Sequence, residues 1–282
     1  MVSARVASSA AAPHLLLMLA PSDFSPSLGQ AVRDAARQAG AIALPFYRSG
    51  TKTAARLWYK EHSSPVTEAD IAVDTFLKNH LAGLLPEAAW LSEETADNPT
   101  RLDKRLVWIV DPIDGTRAFS TGHPDWSVSI ALVEDGRPVL GVIYAPIHDH
   151  LYEARIGSGA WRNGERLQLS GAVPKDPRVA GPKPLVDRFA RHIGPIQHLP
   201  KVPSLALRLA RVAEGSIDVG LVSSNAHDWD IAAADLILHE AGALLTDFAG
   251  TAPAYNKPQP RHGEMVAVAS RLHPRAIGAM RT

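Results

Sequence analysis

The 282-residue chain predicts a layered α/β fold, and three features of its pattern carry that expectation. Two stretches of helical period precede a run of short segments that alternate around hairpin turns. Val173 to Pro184 then holds four prolines and reads as a connection between two lobes. Beyond it, helical and strand patterns alternate to the C-terminus. The organisation predicted is a disordered extension over 1–26, an α+β lobe over 27–172 with a mainly antiparallel sheet, and a smaller α/β lobe over 173–282.

At the N-terminus, Arg5, an Ala-rich segment and an apolar stretch from His14 to Pro21 share parts of a signal peptide. The Ala-rich segment precedes the apolar stretch, however, where a cleavage site would follow it. The stretch reads instead as a poorly ordered extension. From Leu28 to about Phe46, the residues Leu28, Val32, Ala35, Ala36, Ala39, Ile42 and Ala43 mark one helical face, with Ser25 or Ser27 as cap. A polar loop, Tyr59 to Pro65, leads to a second helix with Ala69, Ala72, Val73, Phe76, Leu77, Leu81 and Leu84 on its face. Thr67 is its expected N-cap. Asp70 falls in its first turn, where a carboxylate complements the helix dipole. Ala88 to Leu91 reads as a short strand running into Ser92-Glu93-Glu94, acids that a solvated loop would equally accommodate.

Leu106 to Thr116 is the most informative run: Leu-Val-Trp-Ile-Val, then Asp-Pro-Ile-Asp-Gly-Thr. The apolar half is short and β-branched and reads as a buried strand. Pro112 has no N–H, so the ladder is expected to stop there. Asp111 and Asp114, three residues apart and joined by a tight turn, can converge on one point. Two such anions repel unless a proton or a cation lies between them. Oxygen ligands in a chain with no Cys favour a hard cation such as Mg²⁺. Gly115 permits close backbone approach, and Thr116 adds a hydroxyl beside N–H groups suited to an anion. Asp-Pro-Ile-Asp-Gly taken alone also suits an ordinary polar turn.

Ser127 to Val133 alternates, with Val128, Ile130 and Leu132 on one face, and Val139 to Tyr144 returns after the turn Glu134-Asp135-Gly136. Leu151 to Arg155 and Arg166 to Leu169 continue the antiparallel pattern around turns at Gly157-Ser158-Gly159 and Asn163-Gly164. After the proline-rich stretch come helices at Leu185 to Ile193 and Ser204 to Glu214, the latter capped by Ser204 and stopped by Gly215. A strand, Ile217 to Val222, and a helix, Asp230 to Ala241 closed by Gly242, follow. Ala243 to Thr246 and Met265 to Ala269 are further short strands.

Composition excludes several functions. Lys+Arg and Asp+Glu are both 29, so no global field draws nucleic acid or an anionic membrane. The absence of Cys removes disulfides and thiolate chemistry and fits a reducing cytoplasm. No apolar run reaches the roughly 20 residues that span a bilayer. Gly157-Ser158-Gly159 lacks the third Gly of a dinucleotide fingerprint, Arg162 standing in its place. His148-Asp149-His150 lacks the helical spacing of zinc sites. Scattered Trp residues show no basic interleaving.

Four acidic places share one position type: Glu93, Asp111 and Asp114 at strand ends, and Asp230 at the start of a helix, where an N-cap is the plainer account. Together with Asp70 and Thr116 they resemble the inositol monophosphatase superfamily of Mg²⁺-dependent, lithium-sensitive phosphatases. The matching segments are Ser64-Pro-Val-Thr-Glu-Ala-Asp70, Ser92-Glu-Glu94, Trp108-Ile-Val-Asp-Pro-Ile-Asp-Gly-Thr116 and Trp229-Asp-Ile-Ala-Ala233, in the family's order. The resemblance implies a layered αβαβα sugar-phosphatase fold, two or three Mg²⁺ ions and a small phosphorylated metabolite as substrate. It implies that Glu93, Asp111, Asp114 and Asp230 ligate metal, with the Ile113 carbonyl. Thr116 paired with Asp70 would orient and help deprotonate the attacking water, and the Gly115 and Thr116 N–H groups would receive the phosphate. Glu93, Ile113, Asp114 and Asp230 would also line the substrate site, while Glu94 is either a supporting group or merely solvated. Phosphate monoesters hydrolyse extremely slowly, so positioning, charge neutralisation and a stronger nucleophile are what such a site must supply.

The substrate divides the family. Where inositol-specific members carry a Glu, seven residues before the Asp of Trp-Asp, this chain has Ser223. Ser64 to Asp70 and Ser204-Leu-Ala-Leu-Arg208 are more similar to the bacterial 3′(2′),5′-bisphosphate nucleotidases (CysQ-like), and Thr116-Arg117-Ala118-Phe119 also resembles the histidinol-phosphatase branch. The nucleotidase is the favoured expectation, with inositol-1-monophosphatase or histidinol-phosphatase as alternatives. Arg117, Arg208 or His227 are candidates for a second phosphate, each equally able to be a surface charge. A non-catalytic regulator of the same fold is the rival of another class; it is disfavoured because the four acids and the Asp70–Thr116 pair are all present. Relatives include monomers and dimers, so a homodimer is compatible.

Overall fold

A computed structural model of the protein describes residues 26–60, 64–171 and 173–281. The expected N-terminal extension and Ser25 lie outside the described residues, except for Pro26, which opens the first helix. In chain order the elements begin with α1 (Pro26–Ala43), a two-stranded ribbon of β1 (Leu57–Tyr59) and β2 (Pro65–Thr67), and α2 (Glu68–Leu84). Ser27 lies inside α1, so it does not cap it. The two strands of the ribbon, which the sequence pattern does not predict, flank the polar loop expected from Tyr59 to Pro65. Thr67 does cap α2.

A seven-stranded sheet follows in simple sequential order. It comprises β3 (Ala89–Ser92), β4 (Leu106–Asp114), β5 (Ser127–Glu134), β6 (Arg137–Ala145), β7 (His150–Arg155), β8 (Gly159–Arg162) and β9 (Glu165–Leu167), with the short helix α3 (Thr116–Thr121) after β4. Only β3 and β4 run parallel. Two expectations need correction here. The strand expected from Arg166 to Leu169 ends at Leu167 and has an extra partner, β8, between the two glycine turns. Nor does the ladder stop at Pro112. Pairing of β4 with β5 skips from Asp111↔Ser129 to Asp114↔Ser127, so the residue without an N–H sits in a bulge and the strand resumes beyond it.

The second part contains β10 (Arg178–Ala180), α4 (Lys183–Ile193), β11 (Gln197–His198), α5 (Leu205–Ala213), β12 (Val219–Val222), β13 (Ala226–His227), α6 (Asp228–Ala241), β14 (Ala243–Asp247), β15 (Arg261–His262), β16 (Met265–Ala269) and α7 (His273–Met280). Five of these strands form a mixed sheet in the order β11-β10-β12-β16-β14, the first three mutually parallel. β13 and β15 form a separate ribbon. The proline-rich connection is thus partly structured, since β10 lies inside it. Pro177 and Pro182 flank that strand without entering it, as residues lacking an N–H must.

Three apolar clusters stack these elements into five layers. One packs α1 and α2 on the first sheet through Val32, Leu77, Trp108, Ile130 and Val142. A second fills the space between the two sheets, where Ile109, Ala131 and Ile143 meet α5, α6 and the strands beyond. The third packs α4 and α7 on the outer face of the second sheet through Phe189, Val219 and Met280. The order is helix, sheet, helix, sheet, helix. Val128, Ile130 and Leu132 do share one face of β5, but both of its faces are buried, with Ala131 and Val133 on the other. Helix α6 is accordingly apolar nearly all round, as a helix between two sheets must be. It sits close: a Cβ on Gly141 of β6 would come within 2.7 Å of the Ala233 carbonyl oxygen. No helix among the described residues is long and apolar enough to cross a membrane.

Candidate metal centre and phosphate site

The β4 bulge is what gathers the acids. It allows Asp111 and Asp114 to contribute carboxylate oxygens to one point, and α6 brings Asp230 to the same place; oxygens of the three lie within 4.8 Å of one another. Asp111 accepts the Ile113 N–H at Oδ1, 3.0 Å. Asp114 accepts the Ser204 hydroxyl at 2.5 Å and the Ala206 N–H at 2.7 Å, so the start of α5 holds it from the second sheet's side. Asp230 is the third residue of α6, not its N-cap; its Oδ2 accepts the His227 N–H at 2.7 Å.

Burial and mutual repulsion leave these acids hard to ionise together. Burial pushes Asp111 well above the carboxylate range, reinforced by the charges of Glu93, Asp114 and Asp230. Asp230 is raised by burial and then by Asp114. Burial lifts Asp114 to about 6, against the lowering effect of its bonds from Ser204 and α5. Three oxygen donors with this repulsion between them could hold a cation.

Asp70 is built like Asp230, as the third residue of a helix with its side chain reaching back. Its Oδ2 accepts the Thr67 N–H at 2.8 Å and the Thr67 hydroxyl at 2.5 Å. Its Oδ1 is left for the Thr116 hydroxyl at 3.0 Å, which also lies 3.0 Å from the Ile113 carbonyl oxygen. Burial lifts Asp70 to about 6. Gly115, at φ +89°, turns the chain from β4 into α3, and a Cβ there would crowd Asp125 O and Ser204 N at 3.3 Å. Gly115 and Thr116 open α3, where N–H groups have no preceding turn to bond.

Glu93 stays outside the carboxylate triad. Its Oε1 lies 3.4 Å from Lys60 Nζ, while its charge raises Asp111, Asp70 and Asp230. Glu94 is not solvated: its side chain is buried and receives Lys60 Nζ at 2.7 Å, and burial raises it to about 7. Lys60 carries no sequence signal, because its partners Glu93 and Glu94 lie 33 and 34 positions away, beyond β3. Asp74 is a second omission, its carboxylate accepting the hydroxyls of Ser92 and Thr95 on either side of the two glutamates.

The motifs set aside on sequence have structural employment. His148 Nε2 lies 2.9 Å from Asp125, and the N–H groups of Gly157 and Gly159 both bond the Glu240 carboxylate. Of the cations considered for a second phosphate, Arg117 is exposed on α3. His227 stacks on Trp229 and takes the Arg261 Nε–H. Arg208 is buried, a cation in the wall of a cleft. That cleft, about 840 Å³, is lined by Asp230, Ser223, Arg208, His198, Lys201 and Lys183 among others.

Residues 28–282 match the family described as the inositol monophosphatase family. Inositol monophosphatase 2 of Solanum lycopersicum is 35% identical over 77% of this chain and 86% of its own. The 3′(2′),5′-bisphosphate nucleotidase CysQ of Aggregatibacter actinomycetemcomitans is 33% identical over 81% of this chain and 87% of its own. In structure, the extragenic suppressor protein suhB of Bartonella henselae superposes with a TM-score of 0.79 at 29% identity, covering 91% of this chain and 99% of that one.

Proposed function

The chain belongs to the inositol monophosphatase family of phosphatases, and on that premise we propose that it is a Mg²⁺-dependent 3′(2′),5′-bisphosphate nucleotidase converting adenosine 3′,5′-bisphosphate to AMP. The observation that carries the substrate is the cleft opening on Asp230. Its lining bears Arg208, Lys201, Lys183 and His198, and it has Ser223 where an acid would suit a sugar hydroxyl. Such a surface favours an ester with more than one anionic group.

The donor set fits the metal. Asp111, Asp114 and Asp230 supply only hard oxygens; the first two are buried, and the charge of Asp114 adds to the burial that raises Asp111 and Asp230. The Ile113 carbonyl and Glu93 would be the further oxygen donors. Bound Mg²⁺ would neutralise charge on the phosphoryl oxygens and acidify the attacking water. The chain's own part is positional. Thr67 saturates one oxygen of Asp70, so the other faces Thr116 in a fixed orientation. The Thr116 hydroxyl, directed to Asp70 or to Ile113, can accept a hydrogen bond from the incoming water and pass its own proton toward Asp70. The first N–H groups of α3 receive a phosphoryl oxygen. No covalent phospho-enzyme is required.

The test is a comparison of kcat/KM for adenosine 3′,5′-bisphosphate, inositol 1-phosphate and histidinol phosphate. The bisphosphate is expected to lead. A lead by either other ester overturns the substrate assignment and leaves the catalytic groups in place.

A further inference from the structure

We propose that Arg208 and Lys201 form a second anion subsite in the cleft beside Asp230, selecting phosphate monoesters that carry a further phosphate group. The subsite rests on the phosphatase reading of the metal centre, but not on the substrate being a nucleotide.

Arg208 lies in the middle of α5 with only 6% of its surface exposed. Its Nε donates to the Val202 carbonyl at 3.2 Å and its Nη1 to the Leu221 carbonyl at 2.8 Å. Both acceptors are neutral, and among the described residues no carboxylate comes within ion-pair distance of the guanidinium. Asp114 favours its charge from further away. That carboxylate is already held by Ser204 and Ala206 and shared with the acid triad. A buried cation without a close anion is costly, and burial accordingly depresses the Arg208 pKa. The two carbonyls fix the plane of the guanidinium and leave Nη2 without a hydrogen bond among the described residues. A clamped guanidinium with an unused edge in the wall of a cleft is suited to a phosphate, which it meets in a planar fork.

The rest of the cleft agrees. It lies beyond the carboxyl ends of the parallel strands β11, β10 and β12, where Gly181, His198 and Ser223 line it. Ligands of α/β sheets settle at such ends. Asp230 is the sole acid of the lining, and it belongs to the metal centre. Lys183 is committed to Asp187 at 2.7 Å. Lys201 is exposed on the lining loop and has no ion pair or hydrogen bond from its side chain among the described residues. The cleft therefore opens at Asp230 on the acid triad proposed to take a metal and the reacting phosphate, and its wall holds two unspent cations. The arrangement matches a substrate with two separated anionic groups.

The experiment measures kcat/KM for two pairs of esters on the Mg²⁺-loaded enzyme: adenosine 3′,5′-bisphosphate against adenosine 3′-phosphate, and fructose 1,6-bisphosphate against fructose 1-phosphate. The wild type is expected to prefer the bisphosphate in at least one pair. Lys201→Ala and Arg208→Met are each expected to lower that preference, by about tenfold for a lost charge-assisted contact. Lys201 is exposed, so its variant reports even where the Arg208 variant folds poorly. Equilibrium binding of AMP, which keeps only the second phosphate, should weaken in parallel while binding of adenosine does not. No preference for a bisphosphate in either wild-type pair overturns the subsite, and so does a preference that neither variant alters. A preference confined to the fructose pair and lost in the variants supports the subsite and overturns the nucleotidase assignment alone.

Discussion

Thr116 Oγ1 and Asp70 Oδ1 lie 3.0 Å apart, although 46 positions separate them in the chain. One opens α3 and the other closes the capping box of α2, so the contact joins the end of β4 to the outer helical layer. Each partner is held from behind: Asp70 by Thr67, and Thr116 by the turn through Gly115. A hydroxyl and a carboxylate fixed in this way are positioned for proton transfer without local rearrangement.

Removing the Thr116 hydroxyl should therefore be costly in rate and cheap in stability. Thr116→Val is expected to lower kcat by about a hundredfold, the scale of a lost acid–base group, with KM nearly unchanged. Thr116→Ser should retain most turnover. Equal kcat for the valine and serine variants would remove the hydroxyl from the mechanism.

Asp111→Asn should abolish most phosphate release, by about a hundredfold or more, because it takes a donor from the metal centre. The fold should survive, since an amide oxygen can still accept the Ile113 N–H. Without metal, the variant should melt a few degrees above the wild type, since one of three mutually repelling carboxylates is gone. With Mg²⁺ added, the wild type should gain thermal stability by linkage and the variant should not. An equal Mg²⁺-induced shift in both proteins would contradict a role for Asp111 in metal binding.

Asp235 gives a pH dependence from outside the acid triad. It is half-buried against Tyr255, whose hydroxyl donates to it at 2.9 Å, and desolvation raises it to about 7. A carboxyl raised in the folded state binds its proton more tightly there than in the unfolded chain. Its contribution to stability is full below the unfolded pKa of about 3.9 and is lost as pH rises through the folded value. Asp235→Asn should thus lose less stability than the wild type between about pH 4 and pH 7. Urea midpoints across that window test this, and parallel curves for the two proteins would refute it.

Gly141 couples the packing to the site. A Cβ there meets the Ala233 carbonyl oxygen of α6 at 2.7 Å, so Gly141→Ala must push the helix from the sheet, at a cost of about 1–3 kcal/mol. Asp230 stands in the first turn of the same helix. The variant is expected to need more Mg²⁺ for half-maximal activity as well as to unfold at lower urea. A loss of stability with unaltered Mg²⁺ dependence would detach the helix position from the metal site.

Much of this geometry is legible in the chain, for local reasons. Thr67 and Asp70 stand at capping-box spacing, and Leu106 to Val110 are β-branched and apolar enough to specify a buried strand. Pro112 misleads because a missing N–H ends a ladder only where pairing must be continuous; a bulge lets β4 pass it and turns Asp111 and Asp114 toward each other. Glu93 resembles its fellow acids in sequence position, yet the structure faces it toward Lys60, a contact over 33 positions that no local pattern encodes. The alternation along β5 hides its second buried face because that face is lined by Ser127, Ser129 and Ala131, residues small enough for α6 to approach. Arg208 reads as a charge on a helix, and only the assembled sheets show that it is enclosed.

The most direct measurement is phosphate release from adenosine 3′,5′-bisphosphate by the purified protein before chelation, after removal of divalent cations, and after Mg²⁺ is restored. Rapid release that chelation abolishes and Mg²⁺ recovers is the predicted result if Asp111, Asp114 and Asp230, whose oxygens converge, hold the proposed cation. Release that continues undiminished without divalent metal would contradict the account at its centre.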